Sequence, residues 1–294
     1  MVGNGFYEPV RFSGFPEMKE SLVSGYLDAT FMIAPLALAL REGGVPVKIV
    51  YLGHRDGTAL MVHKEASIYS FKDLKGKKIA IPNRYSNQHL LIYKGLKDNG
   101  MTTQDVTLLE MPPPDMPAAL STKAVDGIIA GEPLMAKTEL DGYGRVLYQA
   151  KDLWPNFISC VLVAPQRTID EHPEWLQKLV DGIAASGKWL EASMEHRLQT
   201  AEAVGPGYYN QEPRLLRFVL TTPPDRVTYA NLMLAKPDFQ RIEQLAAESG
   251  ILKKPLIFEE YTDTRFSDKT SGAIAYNWDG PKESPQDSSK ENAQ

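Results

Sequence analysis

Apolar residues along this chain follow two spacings. Short continuous runs at 29–34 and 127–130 read as strands buried on both faces, and 47–52 and 158–164 also read as strands. Further strands are expected at 10–12, 78–82, 106–111 and 145–149. Between them apolar positions recur every three or four residues, predicting helices over about 17–24, 36–41 and 88–99. Gly43-Gly44 and Gly100 stop the helices before them. From Pro173 the pattern turns helical: apolar residues at 175, 176, 179, 180, 183, 184, 189 and 190 predict one long helix over 173–194. Helices over 201–209, 212–220 and 238–249 follow. Residues 267–294 are poor in apolar side chains and rich in Ser, Lys, Glu, Asp and Pro, the pattern of a disordered tail.

The pattern repeats once. Residues 22–38 read LVSGYLDATFMIAPLAL and residues 120–136 read LSTKAVDGIIAGEPLMA. Asp28 and Asp126 stand 98 positions apart, as do Pro35 and Pro133. Each copy runs helix end, turn, Asp, buried strand, Pro, new helix, with Pro in the first turn where its missing N–H costs nothing. A period this long is not a solenoid. It predicts an α/β chain of two similar lobes, whose loops Ile33-Ala34-Pro35 and Gly131-Glu132-Pro133 face one cleft. The alternative is a pair of ordinary strand-to-helix turns. The counterpart of the strand and helix at 78–100 would fall at about −20 to 2. The first lobe is therefore expected to lack its opening strand and helix, with residues 4–8 as the remnant, unless the lobes simply differ there.

Composition narrows the function. Two lobes with real cores fit into 294 residues. A net charge of −5 gives no electrostatic footprint for nucleic acid. No apolar run is long enough to span a membrane, and the first residues lack the basic and apolar regions of a secretory signal. The single Cys160 excludes an internal disulfide and, beside Val161-Leu162-Val163, reads as a buried structural thiol. There is no G-x-S-x-G, no Walker loop, no dinucleotide fingerprint and no metal-ligand spacing, so no catalytic residue, metal or cofactor is assigned.

Candidate binding residues lie in loops at strand ends. Ser86, Asn87 and Gln88 begin a helix whose free N–H groups can hold an oxyanion, and Arg84 could add a bidentate contact. Equally, Ser86 or Asn87 is an N-cap and Arg84 is solvated. Glu132, after Gly131, either accepts from a ligand donor or caps the following helix. Arg84 and Glu132 together suit a zwitterionic solute or one of mixed donors and acceptors rather than a bare small anion, within a broader expectation of a small anionic or zwitterionic organic solute. His54, Arg55 and Asp56 form a polar segment between apolar stretches. Ser13 and Gly14 begin a helix at the other lobe's loop, and Ala34 lies in the first copy of the repeated loop.

Residues 71–82 (FKDLKGKKIAIP), 125–133 (VDGIIAGEP) and 171–174 (EHPE) resemble extracytoplasmic solute-binding proteins of ABC importers. The branch is the nitrate/sulfonate/taurine group, similar in turn to thiamine-pyrimidine-precursor proteins. The resemblance covers roughly residues 6–266. It implies a two-lobed periplasmic-binding-protein type II fold, each lobe a mostly parallel sheet flanked by helices. Hinge crossovers would fall near 64–70 and 157–159, which divides the chain into one lobe of about 1–66 plus 159–266 and another of 67–158. It further implies a small-molecule solute, an ABC-transporter permease as partner, a periplasmic or extracytoplasmic location, and membrane contact only through the transporter or a lipid anchor. Family members open with a signal and a strand–loop–helix that contributes ligand contacts. The other readings are a pyrimidine-precursor enzyme or binder on the same fold, and a truncated relative that binds nothing.

Overall fold

The computed structural model describes residues 7–204 and 211–270. Among the described residues nine strands build two sheets. β1 (Thr30–Met32), β2 (Val47–Asp56), β8 (Ile158–Pro165) and β9 (Val227–Thr228) form the first, in the order β1-β8-β2-β9. β3 (Thr58–His63), β4 (Lys78–Ile81), β5 (Thr107–Glu110), β6 (Gly127–Gly131) and β7 (Gly144–Gln149) form the second, in the order β5-β4-β6-β3-β7. Helices flank both sheets, so the two-lobed α/β architecture holds. Residues 10–12 carry no strand. The long helix is Pro173–Ala192, and the next, Met194–Val204, covers the start of the one expected over 201–209. Of the expected tail, Ser267 and Asp268 end the helix Thr264–Asp268. Residues 271–294, most of the remnant at 4–8 and the stretch 205–209 lie outside the described residues.

The lobes are not mostly parallel. In the first sheet every pairing is antiparallel. In the second, β4 runs parallel to β5 and β6, but β3 runs antiparallel to β6 and β7. The cause is the way the chain passes between lobes. β2 leaves the first lobe and β8 returns to it, so side by side they must be antiparallel. β3 enters the second lobe and β7 leaves it, with the same result.

The first crossing also falls earlier than expected. β3 belongs to the second sheet, so the chain changes lobes at Gly57 and not over 64–70. The second crossing runs through residues 150–157, between β7 and β8. The polar segment 53–56 is strand rather than loop, because β8 and then β9 supply its backbone partners. Gly53 is required there: a Cβ would stand 2.3 Å from Cys160 Sγ.

The repeat survives in three dimensions. β1 leads into the helix Ala34–Glu42, and β6 into Leu134–Leu140. Asp126 ties the second copy to its sheet: its N–H donates to Lys78 O and its Oδ2 accepts from Lys78 N, both at 2.8 Å. Asp28 instead accepts from Arg167 Nη2 at 3.0 Å. Phe71, in the short turn Phe71–Leu74, packs on Gly95 in the helix Asn87–Asp98, where a Cβ would lie 2.0 Å from Phe71 Cζ. Alanine at a helix-interior glycine gains about 1 kcal/mol of propensity. Here the clash overrides it. Gly95→Ala is expected to lower stability by about 1–3 kcal/mol in urea unfolding, with recovery when Phe71→Leu is added. Stability at or above the parent's would contradict this packing.

Candidate functional site

At the first crossing three segments close into a ring. Gly57 N–H donates to Arg226 O at 2.7 Å, and Gly57 O accepts from Glu132 N–H at 2.8 Å. The Arg226 side chain completes the ring, with Nη1 donating to Glu132 Oε1 and Nη2 to Glu139 Oε2, each at 2.8 Å. Arg226 precedes β9 of the first sheet, and both carboxylates belong to the second lobe. The side chains of Arg226 and Glu132 are each 4% exposed. Burial opposes the Arg226 charge, but the two carboxylates hold its pKa above the ordinary value. Removing one member of such a pair typically costs about 3–5 kcal/mol. Beside it the helix Pro213–Thr221 packs Leu215 and Val219 against Ala136 of the helix Leu134–Leu140.

Both carboxylate oxygens of Glu132 are engaged within the protein. Its Oε2 accepts from Ala136 N–H at 2.7 Å, the helix-cap role, while Oε1 takes Arg226. Gly131 ends β6 opposite Thr58. Sequence reasoning missed Arg226. Thr222-Pro-Pro-Asp-Arg226 has no periodicity, and only the tertiary pairing gives it meaning.

A second group joins the two crossings. Asn87, 1% exposed, donates from Nδ2 to Ile158 O at 2.8 Å and Ser159 O at 3.0 Å. Gln88, 4% exposed, donates from Nε2 to Thr58 Oγ1 at 3.2 Å. Asp56, 9% exposed, donates its N–H to Phe157 O at 2.9 Å. One oxygen of each side chain is left without a donor: Asp56 Oδ1, Asn87 Oδ1 and Gln88 Oε1. Buried acceptors without donors are rare. A void of about 10 Å³ beside Asn87, Trp154 and Phe157 is the size of one water. Burial pushes the Asp56 carboxyl up to about 7, against Lys151 and Arg55 and with help from Asp225 and Asp152.

The other candidates lie apart or are engaged. Ser86 is a buried N-cap, its Oγ accepting from His89 N at 3.0 Å. Arg84 has a side chain 76% exposed, paired with Glu110 at 3.2 Å. Arg55 is an internal strut, donating to Asn231 O, Asn156 O and Asp238 Oδ2 at 2.8, 2.7 and 2.7 Å. Gly14, not Ser13, occupies the N-cap of the helix Phe15–Val23, and Ser13 Oγ donates to Glu17 Oε2 at 3.3 Å. Ala34 is fully buried at the start of its helix. Cys160 Sγ lies 3.2 Å from His54 Nδ1, a neighbour the sequence separation hid. Burial pushes the thiol up to about 12 and the imidazole down to about 4, so at neutral pH the two are a neutral contact and not a thiolate–imidazolium nucleophile. Among the described residues no group of three or more His, Cys, Asp or Glu could hold a metal, and no helix is long and apolar enough to cross a membrane.

Residues 3–205 match the model of the NMT1-like family. The nitrate import ATP-binding protein NrtC of Synechocystis is 28% identical over 170 residues, covering 52% of this chain and 24% of that protein. The chain spans between about a quarter and just over half the length of the curated relatives it matches. The ligand-binding component of an ABC-type import system from Staphylococcus aureus, solved with zinc bound, superposes with a TM-score of 0.79 at 25% identity, over 89% of this chain and 87% of that one. The periplasmic nitrate-binding protein NrtA from Synechocystis PCC 6803 gives 0.80 at 14% identity, over 87% and 78%, a likeness of fold alone. The desulfurization enzyme DSZB shares the fold at 0.60 and 14% identity, over 82% and 85%, so fold by itself does not separate binder from enzyme.

The Asp56 carboxyl sets a pH dependence. A folded pKa near 7 against about 3.9 unfolded means that the folded state holds the proton more tightly. Stability is then undiminished below pH 4 and is lost as pH rises through 7. Asn tolerates the left-handed backbone at this position, where φ is 57°. Asp56→Asn is therefore expected to match the parent at pH 4 and to exceed it at pH 8 by on the order of 2–4 kcal/mol in thermal or urea unfolding. Parallel curves for the two proteins would remove the buried carboxylate from this account.

Proposed function

We propose, since this chain belongs to the NMT1-like family, that it is the solute-binding component of an ABC import system, holding a small molecule between its two lobes. The observation that carries this reading is the set of orphaned acceptors on Asp56, Asn87 and Gln88 at the two crossings. A buried polar group without a partner is costly, and a site kept that way is one that a ligand completes. The two crossings act as the hinge about which the lobes open and close. The ring of Gly57, Arg226 and Glu132 is the pin on that axis. Glu132 holds the lobes together, and the solute meets the first turn of the helix Asn87–Asp98 beside the crossing segments. The partner is the membrane permease of the importer, and the location is extracytoplasmic. The neutral His54–Cys160 contact does not supply an activated nucleophile.

Thermal unfolding of the whole chain against nitrate, bicarbonate, sulfonates, amino acids and pyrimidines tests this. A solute at 100 times its dissociation constant stabilises the folded state by about 2.7 kcal/mol. A clear rise with one chemical class is the expected result. A cooperative transition that no solute moves would overturn the reading.

A further inference from the structure

We propose that the buried ion pair of Glu191 and Arg197 is a positioning pair for the joint between the lobes: it shapes the segment that carries Arg226 and so sets how firmly the lobes are held together. Glu191 lies near the end of the helix Pro173–Ala192, and Arg197 in the first turn of the helix Met194–Val204. Arg197 Nη2 donates to Glu191 Oε1 at 2.7 Å. Their side chains are 0% and 2% exposed.

The pair grips one segment at both ends. Arg197 Nη1 donates toward three carbonyl oxygens, Leu220 at 3.0 Å, Pro224 at 2.7 Å and Val227 at 3.1 Å. Glu191 Oε1 accepts from Tyr229 N–H at 2.7 Å and from Thr228 Oγ1 at 3.3 Å. Residues 220–229 are thus wrapped around a single guanidinium. Three buried carbonyl dipoles turned on one point repel one another unless a donor cation stands there. That cation in turn needs the Glu191 carboxylate. Arg226 sits between two of the gripped carbonyls, Pro224 and Val227. Its own guanidinium is held by Glu132 and Glu139 of the second lobe, and its carbonyl by Gly57 N–H. Two further bonds of Arg226, from Nε to Thr222 O and from N–H to Pro223 O, stay inside the segment and do not place it. After Arg226 the two-residue pairing of β9 with β2 helps to anchor the chain. Ahead of it, Leu220 and Pro224 are tied to Arg197. The pair acts on the joint whatever solute the lobes hold.

Hydrogen exchange of the whole chain, read residue by residue, tests this. Glu191→Gln keeps the size of the side chain and removes its charge, and Arg197→Lys keeps the charge and loses the fork. The reporter is the Gly57 amide, bonded to Arg226 O. The references are the amide of Gln166, bonded to Pro46 O in the first lobe, and that of Asp126, bonded to Lys78 O in the second. Each variant is expected to speed exchange at Gly57 at least about tenfold more than at either reference, because hydrogen bonds to a charged group are lost locally. A common factor at all three amides would mean that the pair holds the fold as a whole and would overturn the positioning role, as would an unchanged Gly57. If neither variant folds, the parent decides in low urea. The amides of Gly57 and Tyr229 should then open together, with one urea dependence and ahead of Gln166 and Asp126. Separate openings, or one opening shared with both references, would overturn the proposal.

Discussion

The Arg226 guanidinium is the joint of this molecule. It is carried by the first lobe, buried, and held between two carboxylates of the second. Isolated in a low-dielectric setting such a charge would be untenable, so its position depends on Glu132 and Glu139 being where they are. That in turn fixes the end of β6, because Glu132 follows it directly and also binds Gly57 through its backbone. The backbone of Gly57 stands at φ 68°, where a Cβ would meet Val227 at 2.9 Å, so glycine is needed for the close approach of the three segments.

Around this joint the contacts between the lobes differ in kind. On the side of the helix Pro213–Thr221 an apolar contact backs the ion pairs. At the crossings themselves the contacts are polar and incomplete, with Asp56, Asn87 and Gln88 each short of one donor. A closure motion that costs little at the joint and completes the polar group on the other side is what a solute-driven hinge requires.

Much of the fold was legible because it rests on local patterns. The echo of residues 22–38 in 120–136 marked two strand–Pro–helix units, and both exist. Phe71 and Asp126, inside the segments that resemble solute-binding proteins, turn out to fill the space over Gly95 and to tie β6 to β4. Strand direction was not legible, since it follows from which strands carry the chain across. Nor was the crossing at Gly57: the run 53–56 is polar because its side chains find partners in distant segments, as Arg55 does with Asn156, Asn231 and Asp238. The site was half legible. Asn87 and Gln88 stood out as a helix start, while Arg84 drew attention by its charge and lies in solvent. Glu132 was open between a ligand acceptor and a helix cap; its contact with Ala136 N–H is the cap, and its pairing with Arg226, 94 residues away, was on neither reading.

The direct test of the joint is a double-mutant cycle in urea, with the parent, Arg226→Ala, Glu132→Ala and the double variant. A buried, directly bonded charge pair predicts a coupling of at least about 2 kcal/mol, the double variant losing far less than the sum of the singles. Losses that add to within about 0.5 kcal/mol would mean that the two side chains do not depend on each other, and that Arg226 does not join the lobes through Glu132.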